Sequence, residues 1–174
     1  MKRIVILLAA LLFGSSAYAQ SGSLNDEVKG FQWGIQYKQE VFGYDGFFFQ
    51  ASANVSMGYR FDRRNYLGCQ TGYAFKAFLS GIGGSDPYNA IPLLADYIHY
   101  CPIGKMKKNA FIWGAEAGAI FTLYRTDTAP VYDGTLPFVG LKAGVDFSIA
   151  DVAHLMLALR ANYLGPGVSI GFTF

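Results

Sequence analysis

The chain has 174 residues, with 14 Lys and Arg against 12 Asp and Glu. Hydrophobic residues make up 52%, aromatics 17% and charged residues only 15%, where ordinary soluble domains carry roughly a quarter charged. Lys2 and Arg3 belong to a leader. Without them acids and bases balance, which argues against nucleic acid as a partner, and the remaining length suits one domain.

Lys2 and Arg3 precede an apolar run from Ile4 to Phe13, then Gly14, Ser15, Ser16 and the triplet Ala17-Tyr18-Ala19. This is the pattern of a secretory signal with an A-x-A site, so residues 1–19 are expected to be removed after Ala19. The run is too short for a spanning helix of ~20 residues. No cysteine lies near the site, so no lipoprotein is expected. Residues 20–30 read as a periplasmic N-terminal segment and 31–174 as the folded domain.

From Phe47 to Asp62 the odd positions are Phe47, Phe49, Ala51, Ala53, Val55, Met57, Tyr59 and Phe61, and the even ones include Gln50, Ser52, Asn54, Ser56 and Arg60. A period of two with one apolar and one polar face is the mark of a strand. Phe111, Trp113, Ala115, Ala117, Ala119, Phe121 and Leu123 repeat it against Gly114, Glu116, Gly118 and Thr122. Reading on, strands are predicted near 31–39, 47–61, 66–79, 90–101, 110–124, 136–147, 152–163 and 167–174. The connections at 62–65 and 148–151 are tight, and those at 80–89 and 125–134 are long. With a periplasmic N-terminus the tight turns lie on the periplasmic side. Pro102 to Asn109 is a longer turn on that side, and Leu164 to Gly167 a very short outer loop.

A soluble lipocalin-like barrel would also alternate, but its polar face would be rich in Lys and Glu. Here that face carries Gly68, Gly72, Ala74, Gly114, Gly118, Gly140, Gly144 and Gly171 with few charges, as in the crowded interior of a narrow barrel. On the apolar face Phe47, Phe49, Tyr59 and Phe61 bracket small or aliphatic residues in one strand, and Phe111, Trp113 and Phe121 do so in another. Two aromatic girdles at the two headgroup levels are the expectation. The fold class read from this is all-β, an eight-stranded antiparallel up-and-down transmembrane barrel.

Over the whole mature length the chain resembles the small outer-membrane barrels of the OmpX and OmpA transmembrane-domain type, with a porin-like barrel fold. The C-terminal run Val168, Ile170, Phe172 and Phe174, alternating and ending in phenylalanine, resembles the assembly signal of such proteins; Ser169 stands where that signal often has glycine. The resemblance implies an outer-membrane location and a non-enzymatic role in envelope integrity or surface interaction. It also implies a monomer surrounded by outer-membrane lipid, handled during biogenesis by periplasmic chaperones and the barrel-assembly machinery. The alternatives are a lipid-modifying enzyme and a narrow solute channel.

Catalytic candidates are sparse. His99 has outward parity and His154 inward parity, where a symmetric turn at 148–151 would set it opposite Asp146. No serine is placed by the expected register to be activated by either. The sequence around His154 also lacks the His-x-Ser pattern of lipid A deacylases, and the glycines at 81–84 lack the lysine and helix of a phosphate loop. Two cysteines and two histidines so scattered make no metal site, and no cofactor is expected.

Two pairings follow from hairpins taken as symmetric. Cys69 and Cys101 would face each other across the third and fourth strands, and in the oxidising envelope could form a disulfide. Inside the barrel Asp96 would face Glu116, and Glu116 would face Lys142. Arg160 and Lys76 would supply further cations, making a salt-bridged plug in a narrow lumen.

Overall fold

Alternating apolar and polar residues, rich in aromatic and β-branched types, satisfy their backbone groups by pairing with neighbours. A chain so apolar leaves no free edge when the sheet closes on itself. A computed structural model describes residues 30–42, 48–78, 88–104, 108–122, 134–150, 153–163 and 165–174. The expected leader at 1–19, and Phe47, lie outside the described residues.

The described residues form eight strands: β1 (Gly30–Phe42), β2 (Phe48–Arg60), β3 (Asn65–Phe78), β4 (Tyr88–Ile103), β5 (Asn109–Thr122), β6 (Thr135–Ala150), β7 (Ala153–Asn162) and β8 (Gly165–Thr173). Each pairs antiparallel with the next, and β8 returns to β1, closing an up-and-down barrel. The sequence predicts the first strand near 31–39. It runs on to Phe42, which brings a further buried charge, Glu40, into the wall.

Closure is staggered. Moving across the sheet from Gly30, the paired residues are Arg60, Tyr66, Ile98, Gly114, Lys142, Arg160 and Gly167. The path meets β1 again at Glu40, ten residues further along. Such a shear goes with strands tilted by roughly 35–45°. One gap occurs in the β3–β4 ladder, where 72 and 73 have no partner opposite 91 and 92; Pro92 has no N–H to give.

The stagger overturns the expected pairing of Cys69 with Cys101. Cys69 faces Ala95, both cysteines are free, and β4 runs past the start of β3 to end at Ile103. A symmetric hairpin ignores the shear that closure requires, and here the shear displaces the β3–β4 register by six residues. The β5–β6 hairpin is displaced by two: Glu116 faces Gly140, and Lys142 faces Gly114. Asp96 does face Glu116.

Side chains sort by parity into an inverted barrel. Leu159, Leu141 and Val139 point outward, 70%, 65% and 61% exposed, while Gln70, Asp96, Glu116 and Lys142 are buried inside. A continuous apolar exterior of this kind is stable in hydrocarbon, not in water. Ile112 and Phe138, both inward, belong to two separate interior clusters, and the buried charges lie between these.

Candidate functional site

The lower cluster packs Tyr66, Ile98, Tyr100, Ala110, Ile112, Met156 and Ala158 toward the end that carries the β2–β3 turn. The upper one packs Ala74, Ala90, Leu94, Ile120 and Phe138, with Leu136 against it. Between them six buried charged side chains meet. Lys142 Nζ donates to Asp96 Oδ1 at 2.6 Å and lies 3.4 Å from Glu116 Oε1. Arg160 approaches Glu116 end-on with both terminal nitrogens, Nη1 donating to Oε1 at 3.0 Å and Nη2 to Oε2. Its Nε lies 3.4 Å from Glu40 Oε1.

Lys38 Nζ donates to both Glu116 oxygens, at 3.3 and 3.2 Å. Glu40 also accepts from Gln50 Nε2 at 3.2 Å and from Asn162 Nδ2 at 3.3 Å. Three carboxylates, Glu40, Asp96 and Glu116, thus balance three cations, Lys38, Lys142 and Arg160. In the narrow lumen these opposite charges lie against one another, so that each sits beside a partner of the other sign. Glycine makes the room: a Cβ at Gly114 would stand 3.1 Å from Lys142 Cε, and one at Gly167 2.8 Å from Glu40 Cγ.

Of the residues predicted for this network, the structure brings Asp96, Glu116, Lys142 and Arg160 together. The Lys76 side chain lies outside the described residues, although its backbone pairs with Gln50 and Tyr88. Lys38 and Glu40 were missed. Their even parity beside Gln36 was the available signal, but only closure of the barrel carries β1 to face β5.

On the exterior Tyr59, Phe61, Phe111, Trp113 and Phe121 all point outward, between 41% and 51% exposed. Phe121 lies toward one end of the wall and the others toward the opposite end. The Phe49 side chain lies outside the described residues. Val168, Ile170 and Phe172 also point outward. Phe174 stacks on Trp33 with ring centroids 4.7 Å apart, and the two exchange backbone hydrogen bonds of 3.2 and 2.8 Å. A trough of about 580 Å³ crosses the outer wall where Ala143 sits among Val145, Leu157, Leu159, Val168 and Ile170.

At the mouth on the side of the β2–β3 turn, His154 Nδ1 lies 2.9 Å from Asp146 Oδ2. The pair was expected directly across the hairpin. The register instead sets His154 opposite Ser148 and Asp146 opposite Met156, so the contact is diagonal, and a serine does stand across from this histidine. The Ser148 hydroxyl donates to Ala150 O at 3.1 Å. Arg60 stacks over the Tyr100 ring at 4.0 Å and donates to Arg63 O at 2.7 Å, covering the same mouth. Among the described residues no group of three His, Cys, Asp or Glu is placed to hold a metal ion.

No protein-family model matches the chain, and no curated protein matches it significantly. Among solved structures it is similar to Neisserial surface protein A, with a TM-score of 0.64 and 16% identity over 82% of this chain and 95% of that one. The translocator domain of the autotransporter NalP from Neisseria meningitidis fits loosely, with a TM-score of 0.37 and 9% identity over 98% of this chain and 97% of that one. The fold of this chain is therefore that of a small outer-membrane β-barrel, closed, antiparallel and eight-stranded.

Proposed function

We propose that the chain is a non-enzymatic, monomeric barrel of the bacterial outer membrane, exported by its N-terminal leader, with an envelope-integrity or surface-interaction role. The observation that carries this reading is the Lys38–Glu116 ion pair bridging the lumen. A salt-bridged layer between two apolar layers fills the lumen among the described residues, which disfavours a channel. The apolar exterior supports outer-membrane lipid as its surroundings, with periplasmic chaperones and the barrel-assembly machinery as partners in biogenesis. The finer kinship to the OmpX and OmpA type rests on the same features: eight strands, a plugged interior and an alternating last strand.

One observation favours a second reading, hydrolysis at the periplasmic mouth: Asp146, His154 and Ser148 gather there. It ranks lower because the serine hydroxyl is engaged by Ala150 O and not by the imidazole.

Planar-bilayer recording tests the closed lumen. The unmodified protein should give no stable conductance, and reproducible single-channel currents would promote the channel. Labelling of single cysteines on intact cells tests the location. Sites in 80–89 and 125–134 should react and sites at 63 and 151 should not; the reverse pattern would invert the orientation.

A further inference from the structure

His99, on the outer face of β4, stands directly across from Asn65 at the level of the β2–β3 turn and takes no part in the lumen network. Its tautomer is set from that turn. Asp62 Oδ2 accepts from Asn65 Nδ2 at 2.7 Å, so the oxygen is the end of the Asn65 amide that points onward. Asn65 Oδ1 accepts from Tyr97 OH at 2.7 Å and meets His99 Nδ1 at 2.8 Å. A carbonyl oxygen there requires the proton on Nδ1, which makes Nε2 of the neutral imidazole an acceptor. Nε2 is not sealed within the protein, and no described residue bonds to it.

Trp113 flanks the imidazole, with ring centroids 5.0 Å apart and planes at 33°, and Tyr97 meets the indole edge-on at 6.0 Å. Trp113 is 48% exposed on the lipid-facing side. An accessible acceptor beside an aromatic ring is complementary to a ligand that is both a cation and a donor. A protonated amine gives an N–H to the nitrogen and is attracted by the ring. Phosphate offers only oxygens and does not suit the nitrogen. The adjoining turn carries Arg63 and Arg64 against the single acid Asp62. A free amine would therefore meet net positive charge, whereas a zwitterionic headgroup brings its own anion.

We propose that His99 and Trp113 bind the primary ammonium of a zwitterionic phospholipid, of the phosphatidylethanolamine class, in the periplasmic leaflet. The ammonium donates to His99 Nε2 and lies beside the indole, at the depth where Trp and Tyr mark the boundary between hydrocarbon and headgroups. Asn65 is a positioning residue, since it keeps the imidazole proton on Nδ1 and so leaves Nε2 free to accept. The inference rests on the membrane-barrel reading above, and on its orientation for the choice of leaflet.

The test uses the full chain with Trp33→Phe, so that Trp113 alone emits, refolded into vesicles of phosphatidylcholine. Chain-brominated phosphatidylethanolamine, its N,N-dimethyl derivative or phosphatidylcholine is added at matched bromine content. Phosphatidylcholine keeps the positive charge but has no N–H to give. The other two lipids should associate with Trp113 about fivefold more strongly, the factor that one net hydrogen bond supplies. The preference should disappear in His99→Phe, which keeps a ring beside the indole and removes the acceptor, and in His99→Ala, each shown to be folded by its gel mobility before heating. Equal quenching by the three lipids in the unmodified site would overturn the proposal. So would a preference that survives the His99 variants, which assigns it to headgroup size. Loss of the preference on adding free ethanolamine at the concentration of the brominated lipid would assign the site to any amine and overturn it as a lipid site. Both leaflets of the vesicle are alike, so cellular orientation does not enter. A chain quenched by none of the lipids has not inserted, and it is then the barrel reading that fails.

Discussion

Lys38 on β1 and Glu116 on β5 stand on opposite sides of an eight-stranded ring, yet the ammonium and carboxylate approach to 3.2 Å. A side-chain pair can span the lumen in this way only if the lumen is filled. Glu116 is the hub, since Lys38, Lys142 and Arg160 all converge on it.

Removing that hub should therefore cost more than removing any one cation. Glu116→Ala leaves three buried cations sharing Glu40 and Asp96, and destabilisation of about 3–5 kcal/mol is expected. Urea unfolding of the barrel refolded into vesicles measures it. A loss below that of Lys38→Met would mean that the network is not organised around Glu116.

Leu159 reports on the surroundings of the outer wall, since it is 70% exposed and lies midway along the barrel height. If that wall faces hydrocarbon, Leu159→Arg should destabilise by about 2–4 kcal/mol. In water the same change would be close to neutral. Vesicle unfolding of the two proteins decides between them.

The register predicts the chemistry of the thiols. Cys69 faces Ala95 and not Cys101, so titration of the unfolded, non-reduced chain should find two free thiols. In a Cys101→Ala background, Ala95→Cys should cross-link to Cys69 under mild oxidation. Failure of that cross-link, or a bond between the native cysteines, would show that the β3–β4 register is not the one described.

Asp62 makes the β2–β3 turn sensitive to acid. The Asn65 amide and the Arg64 N–H hold its carboxyl below the ordinary aspartate value. The folded state thus binds this proton less readily than the unfolded state does. The stabilisation is complete above the unfolded value and is lost as pH falls through the lowered folded value. Unfolding midpoints taken from neutral to acid pH should fall less steeply in Asp62→Asn than in the unmodified chain. Identical slopes would remove Asp62 as a contributor.

How far the sequence reaches depends on which properties are local. The face on which a strand residue lies is set by its parity, because successive side chains alternate with no help from the rest of the fold. Phe111, Trp113, Asp96 and Glu116 could therefore be assigned outward or inward from the sequence alone, and the count of eight alternating runs carried the barrel class. Register is not local. Closing the ring displaces the path by ten residues on its return to β1, and that offset is shared unevenly among hairpins whose own turn sequences do not reveal it. The expected disulfide failed for that reason, as did the placement of Lys142 directly across from Glu116. Lys142 still reaches Glu116 because a long side chain tolerates a two-residue slip, whereas a disulfide tolerates none. The roles of Lys38 and Glu40 were decided by tertiary structure alone: β1 and β5 are far apart along the chain, and closure of the sheet turns their inward charges toward one another.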